Sequence, residues 1–185
     1  MPKEKQLLEE ADRLQIEREL AISPELSRPF NELPLATQEE NITQARRLPE
    51  LLSIVKLIVV EKSQNTGRGS NALAEHLETL AEFEHILWMN DKMRDGWKYG
   101  TVESEIVQEE INKHQKERLD RGELRLEGLA LQRKLFEFRK RNFLHPCLIP
   151  YAQLPEWEKD KDRNLIKNIG GILAGLGFVV VPMAD

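Results

Sequence analysis

Apolar residues recur along this chain in blocks, most of them at helical spacing. Leu7, Ala11 and Leu14, with Leu8 beside them, lay an apolar stripe along a charged stretch and predict an amphipathic helix over 3–21. Ser23-Pro24 and Arg28-Pro29 then punctuate the chain, because proline disfavours helix in the residue ahead of it. A second helix is predicted from Thr37 to Val55, followed by the largely β-branched run Leu57-Ile58-Val59-Val60, which reads as a strand. Polar, glycine-containing Ser63 to Asn71 is the clearest internal boundary, and Ser70 or Asn71 is a fitting N-cap for a helix over Ala72 to Arg94. Leu73, Leu77, Leu80, Leu87 and Trp88 form that helix's broad apolar stripe, and Gly96-Trp97-Lys98-Tyr99-Gly100 breaks it.

Residues 103–141 are rich in Glu, Lys, Arg, Gln and Leu and contain no proline, which predicts one long helix or a helical hairpin turning near Arg121-Gly122. After His145-Pro146 a last helix fits Glu156 to Leu176, and Phe178 to Val181 is a second candidate strand. A shift of 121 residues lines up 29–61 with 150–182 without a gap: Pro29 falls on Pro150, Phe30 on Tyr151, Leu33-Pro34 on Leu154-Pro155, and Leu57 to Val60 on Phe178 to Val181. Each copy would then pair a helix with a short strand. The two apolar strands could pair across a pseudo-twofold axis, covering edges otherwise exposed and leaving a cleft between related halves.

Composition narrows the class. With 185 residues, 40% of them apolar and 32% charged, the chain fits one ordinary domain or two small units. A net charge of −5 argues against a general nucleic-acid binder. A lone cysteine, Cys147, forms no internal disulfide, and no Cys/His group has zinc-site spacing. The amino terminus lacks the apolar core of a signal peptide, and Gly170 to Met183 is too short to span a bilayer. The expectation is a cytoplasmic, cofactor-free protein without a membrane partner.

The run Ala81-Glu82-Phe83-Glu84-His85-Ile86-Leu87-Trp88, then Lys92, then Gly96 to Gly100 resembles the first half of a ryanodine-receptor repeat domain. His145-Pro146-Cys147-Leu148-Ile149-Pro150-Tyr151, Leu154-Pro155, Glu158-Lys159 and Asp162-Arg163-Asn164 resemble the second half. The segment over 29–52 is similar to the degenerate second half that often precedes this domain in prokaryotic members. One departure stands out: 44 residues separate Gly100 from His145, where the family has a short polar connection. The resemblance implies a mainly α fold with a minor β element, two such repeats packed about a pseudo-twofold axis, and a helical insertion. It divides the chain into an N-terminal helix and degenerate half over 1–62 and a repeat domain over 72–182, with 103–141 inserted. It also implies a non-enzymatic sensing or scaffolding module, since paired repeats of this kind accommodate adenine nucleotides.

Trp88, Trp97, Tyr99, Tyr151 and Trp157 are all the tryptophans and tyrosines of the chain, and they cluster in the motifs. A purine could stack among them; equally, large aromatics dominate small cores. The ligand-binding candidates are Trp97, Tyr99, His145, Tyr151, Arg163, Asn164, Trp88 and Arg46. Arg163 could hold a phosphate or bridge to a neighbouring acid, and Arg46-Arg47 carry the same ambiguity. His85 shares a helix face with Trp88 and reads as a structural residue. Neither His85 nor His145 has a carboxylate or nucleophile at a recognisable spacing, so no acid–base or acyl-transfer set can be assembled. Gly67-Arg68-Gly69 lacks the phosphate-loop pattern, and the glycines of 170–177 precede a strand, the wrong order for a dinucleotide fingerprint. The expected partner is a nucleotide-like small molecule. The alternative is a protein–protein module whose 103–141 insertion mediates self-association.

Overall fold

The computed structural model describes residues 29–64 and 72–183. The helix expected over 3–21, the Ser23-Pro24 break, the Ser70 or Asn71 cap and Gly67-Arg68-Gly69 lie outside the described residues. A 3-10 turn at Phe30–Glu32 leads to α1 (Leu35–Ile54), β1 (Leu57–Glu61) and a second 3-10 turn at Lys62–Gln64. The stretch expected as one helix over 72–94 is two, α2 (Ala72–Glu75) and α3 (Leu77–Arg94), divided at His76. After the short β2 (Lys98–Tyr99), the insertion forms the hairpin α4 (Glu105–Asp120) and α5 (Gly128–Arg141). Then come β3 (Leu144–His145), a 3-10 turn at Tyr151–Gln153, α6 (Glu156–Gly175) and β4 (Phe178–Pro182). The fold is mainly helical with two small two-stranded sheets. Among the described residues no helix is long and apolar enough to cross a membrane.

The chain divides into two compact units, 1–45 and 46–185. Pro49 lies inside α1 and has no N–H to offer the carbonyl of Ala45, the residue at which the first unit ends. Within that unit the Gln38 side chain caps the turn ahead of α1, donating to the Leu33 carbonyl at 2.7 Å.

In the second unit Leu51 from α1, Leu80 from α3, and Ile166 and Ile169 from α6 form one core, with Leu48, Leu87 and Leu173 packed around it. A second cluster, Leu52, Leu57, Ala72 and Val180, seats the sheet on the helices. The insertion carries a core of its own: Val102, Val107 and Ile111 against Leu135 and Phe138. Its two helices therefore hold each other without borrowing the main core.

Elements of the two aligned segments begin and end at the same offset. Phe30–Glu32 and Tyr151–Gln153, Leu35–Ile54 and Glu156–Gly175, and Leu57–Glu61 and Phe178–Pro182 each stand 121 positions apart. β1 and β4 pair antiparallel, Leu57 opposite Pro182 and Val59 opposite Val180. Two backbone bonds extend the ladder, Lys62 N–H to the Gly177 carbonyl and Met183 N–H to the Lys56 carbonyl, both at 2.8 Å.

Five helices end on a left-handed residue. Gly96, Gly122 and Gly177 are there at φ of 88°, 75° and 85°, whereas Lys56 closes α1 at 54° and Phe143 closes α5 at 53°. A side chain in that conformation costs roughly 1–2 kcal/mol. Lys56→Gly should therefore raise unfolding free energy by about 0.5–1 kcal/mol, and Gly177→Ala at the matching position should lower it by about 1 kcal/mol. Urea titration followed by circular dichroism reads both, and a destabilised Lys56→Gly protein would contradict the account of this helix end.

Candidate functional site

Both glycines of the Gly96–Gly100 motif have a local reason. Gly96 takes the left-handed cap position of α3, where its N–H reaches the Met93 carbonyl at 3.0 Å and that of Trp97 reaches Lys92 at 2.9 Å. Gly100 is buried, and a Cβ there would lie 2.9 Å from Leu144 Cδ2 and 3.0 Å from Ser104 Oγ. That closeness lets β2 run parallel to β3, with Lys98 opposite Leu144 and Tyr99 opposite His145. The Lys98 N–H donates to the Phe143 carbonyl at 2.8 Å. The base of the insertion is thus pinched shut, and the two halves of the sequence motif meet.

What they build is a line of rings. Tyr151 lies 5.9 Å from His85, His85 stacks at 5.5 Å on Trp88, and Trp88 meets His145 edge-on at 4.9 Å. His145 then stands 6.1 Å from Trp97, which meets Phe143 at 5.6 Å. Tyr151 is buried with Ala81, Cys147 and Leu154, whereas Trp97 is half-buried and Phe143 is 52% exposed. Lys92 Nζ sits 5.2 Å above the Trp97 ring, and Lys159 Nζ 5.6 Å from that of Tyr151. The Tyr151 hydroxyl is buried and has no hydrogen-bond partner among the described residues.

The electrostatics of the line differ from end to end. Burial first, then the surrounding cations Arg139, Lys92, Lys161 and Lys140, push the His145 imidazole down to about 3. It is therefore neutral at physiological pH. Its Nδ1 accepts the Cys147 N–H at 3.2 Å, which places its proton on Nε2. Burial and nearby Glu158 raise the Cys147 thiol to about 12, so it is no nucleophile. His85 faces the Ile149 carbonyl at 2.8 Å through Nε2, so Nε2 carries the proton; burial lowers its pKa. On its other side Asp162 Oδ2 stands 3.7 Å from Nδ1. Burial, followed by Glu84 and Glu158, raises Asp162 to about 7. Arg47 from α1 reaches Glu84 at 2.6 Å and Asp91 at 2.5 Å. Those bonds tie α1 to α3 behind the rings.

Of the residues singled out from the sequence, Trp88, Trp97, His145 and Tyr151 share this line. Tyr99 is 59% exposed and lies beside His145 through the strand pairing. Arg163 is engaged by carboxylates: Glu78 takes Nε and Nη2, while Glu156 and Asp160 take Nη1, all within 2.7–3.0 Å. It bridges α3 and α6. Asn164 and Arg46 are exposed on α6 and α1, and it is Arg47 that turns inward. Phe143 had no signal in the sequence; Lys92, Asp162 and Glu84 stood in the motifs without a site role, and Arg47 was weighed only with Arg46. Among the described residues no group of three or more His, Cys, Asp or Glu could hold a metal ion.

Two consequences are measurable. Asp162 binds its proton more tightly when folded than its ordinary value of 3.8 allows, so folding stability falls as pH rises from about 4 to about 7 through this group. Asp162→Asn should relieve that loss, raising stability at pH 8 by on the order of 2 kcal/mol and far less at pH 4; a benefit equal at both pH values would refute the assignment. His145 works the other way, its contribution present above the ordinary 6.5 and lost as pH falls toward about 3. At the pinch, Gly100→Ala should cost about 1–3 kcal/mol by overpacking and blue-shift or broaden Trp97 emission, and an unperturbed spectrum would show that the strands tolerate the methyl group. No protein-family model and no curated protein matches the sequence, which leaves this geometry and the motifs to carry a functional reading.

Proposed function

We propose that the chain is a non-enzymatic module of the ryanodine-receptor-repeat type that senses, or scaffolds around, a nucleotide-like anion at the Trp97 end of the aromatic line. The observation that carries the reading is one half-buried indole with the Lys92 ammonium 5.2 Å above its ring, edge-on to a His145 held neutral by burial. A heteroaromatic base gains about 1–3 kcal/mol from stacking on such a ring, and a phosphate gains from the Lys92 ammonium beside it. His145 is neutral there, so it can donate through Nε2–H.

The repeat reading draws its support from the common offset of 121 positions between the two helix–strand segments, and from Val59 facing Val180, its own counterpart, at the centre of the β1–β4 pair. A local pseudo-twofold axis would pass between those two valines. Against an enzymatic reading stands the chemistry of the groups near the rings. The Cys147 thiol is held protonated by burial, which removes the chain's one sulfur nucleophile.

Titration calorimetry and thermal shift with ATP, ADP-ribose and cyclic nucleotides test the reading. At least one should raise the melting temperature and quench tryptophan emission, since a ligand that binds only the folded state stabilises it. Trp97→Ala should weaken that binding about tenfold or more, and Lys92→Ala should weaken it in a salt-dependent manner. No binding by any of these anions, or affinity indifferent to Trp97→Ala, sinks the proposal.

A further inference from the structure

Hydrogen-bond acceptors near the Trp97 ring are largely taken, while donors are left. Four backbone carbonyls of the motif each receive an N–H: Lys92 from Trp97 at 2.9 Å, Met93 from Gly96 at 3.0 Å, Phe143 from Lys98 at 2.8 Å and His145 from Gly100 at 3.4 Å. Asp91, near the end of α3, gives one carboxylate oxygen to Arg47 and the other to Arg94. Asp95 is the exposed C-cap of that helix. His145 accepts the Cys147 N–H at Nδ1, so its own proton stands on Nε2, which bonds to nothing among the described residues. An indole offers only an N–H, and that of Trp97 is likewise without a partner among them. The Lys92 ammonium, 5.2 Å over the ring, carries three N–H groups and no acceptor. Tyr99, opposite His145 in the strand pair, has a hydroxyl that both donates and accepts, so it discriminates nothing.

A flat ring that stacks here therefore meets N–H groups rather than carbonyls. Nucleobases divide on that point. Guanine and hypoxanthine present acceptors at O6 and N7, and uracil presents one at O4, whereas adenine and cytosine turn an amino group to the same side. An amino edge would set donor against donor and leave the His145 N–H unsatisfied, which costs affinity. We infer that the anion bound at Trp97 carries a keto base, above all a 6-oxopurine, whose oxo edge accepts the His145 Nε2–H while Lys92 serves its phosphate. The inference rests on the nucleotide reading above and narrows it to one class of base. It departs from the adenine nucleotides that the family resemblance implies.

Matched ligand pairs test it on the full chain by titration calorimetry: ITP against ATP, and UTP against CTP. The members of each pair share sugar and phosphates and differ at the oxo or amino position, with the ring proton that goes with it. ITP should bind roughly tenfold tighter than ATP, and UTP tighter than CTP by a similar factor. His145→Phe keeps a ring beside Trp88 and Trp97 but offers no donor, and it should bring ITP to the affinity of ATP. Because that change also removes the acceptor of the Cys147 N–H, the ligand pairs are the primary test and need no variant. Asp95→Asn should leave the preference as it is. An adenine ligand that binds as tightly as ITP, a preference that survives His145→Phe in a folded protein, or one that vanishes with Asp95→Asn overturns this inference and leaves the nucleotide reading standing. Silence from all four triphosphates, with ADP-ribose and cyclic nucleotides equally silent, removes both.

Discussion

Two residues of parallel strand pairing, Lys98–Tyr99 beside Leu144–His145, are the constraint on which the candidate site depends. Parallel strands cannot be joined by a tight turn; they need a crossover of a dozen residues or more, usually helical. The 44 residues between Gly100 and His145 serve as that crossover. They form a hairpin with its own apolar core, so their ends return to one place without help from the main core. The missing side chain at Gly100 lets the strands close, because Leu144 occupies the space a Cβ would need. Trp97 and His145 meet as a result of that closure, although they are far apart in the chain.

Behind the rings the protein manages charge by two devices. Where a cation enters the interior it is paired, as Arg47 is with Glu84 and Asp91, since a buried charge left alone costs several kcal/mol. Where pairing is incomplete, the groups give up their charge: His145 stays neutral among cations, and Asp162 holds its proton toward neutrality among acids. The first device locks α1 to α3. The second leaves His145 in the aromatic line uncharged, while Lys92 lies over the Trp97 ring beside it.

The hairpin meets the aromatic line at the β2–β3 pinch and through the charges of Arg139 and Lys140 near His145. The core of the insertion is separate from the packing of Leu51, Leu80, Ile166 and Ile169.

Local pattern carried most of the fold. Helices read as Thr37–Val55 and Glu156–Leu176, and the strands after them, were legible because apolar period, glycine and proline act on near neighbours, whereas 103–141 left one long helix or a hairpin open until the fold showed the turn. The break at His76 and the left-handed Lys56 and Phe143 were not, since nothing in their residue types demands those conformations. Among site residues, the sequence marked out Trp88, Trp97, His145 and Tyr151 by their motifs, and it also put forward Arg163, which the structure fills with three carboxylates from two helices. Residue types and spacing alone determined which side chains were available for stacking and where the helices would run. Which of them meet, which cations surround His145 and which arginine is already paired were decided only in the tertiary structure, because burial and through-space charge depend on neighbours brought from distant parts of the chain.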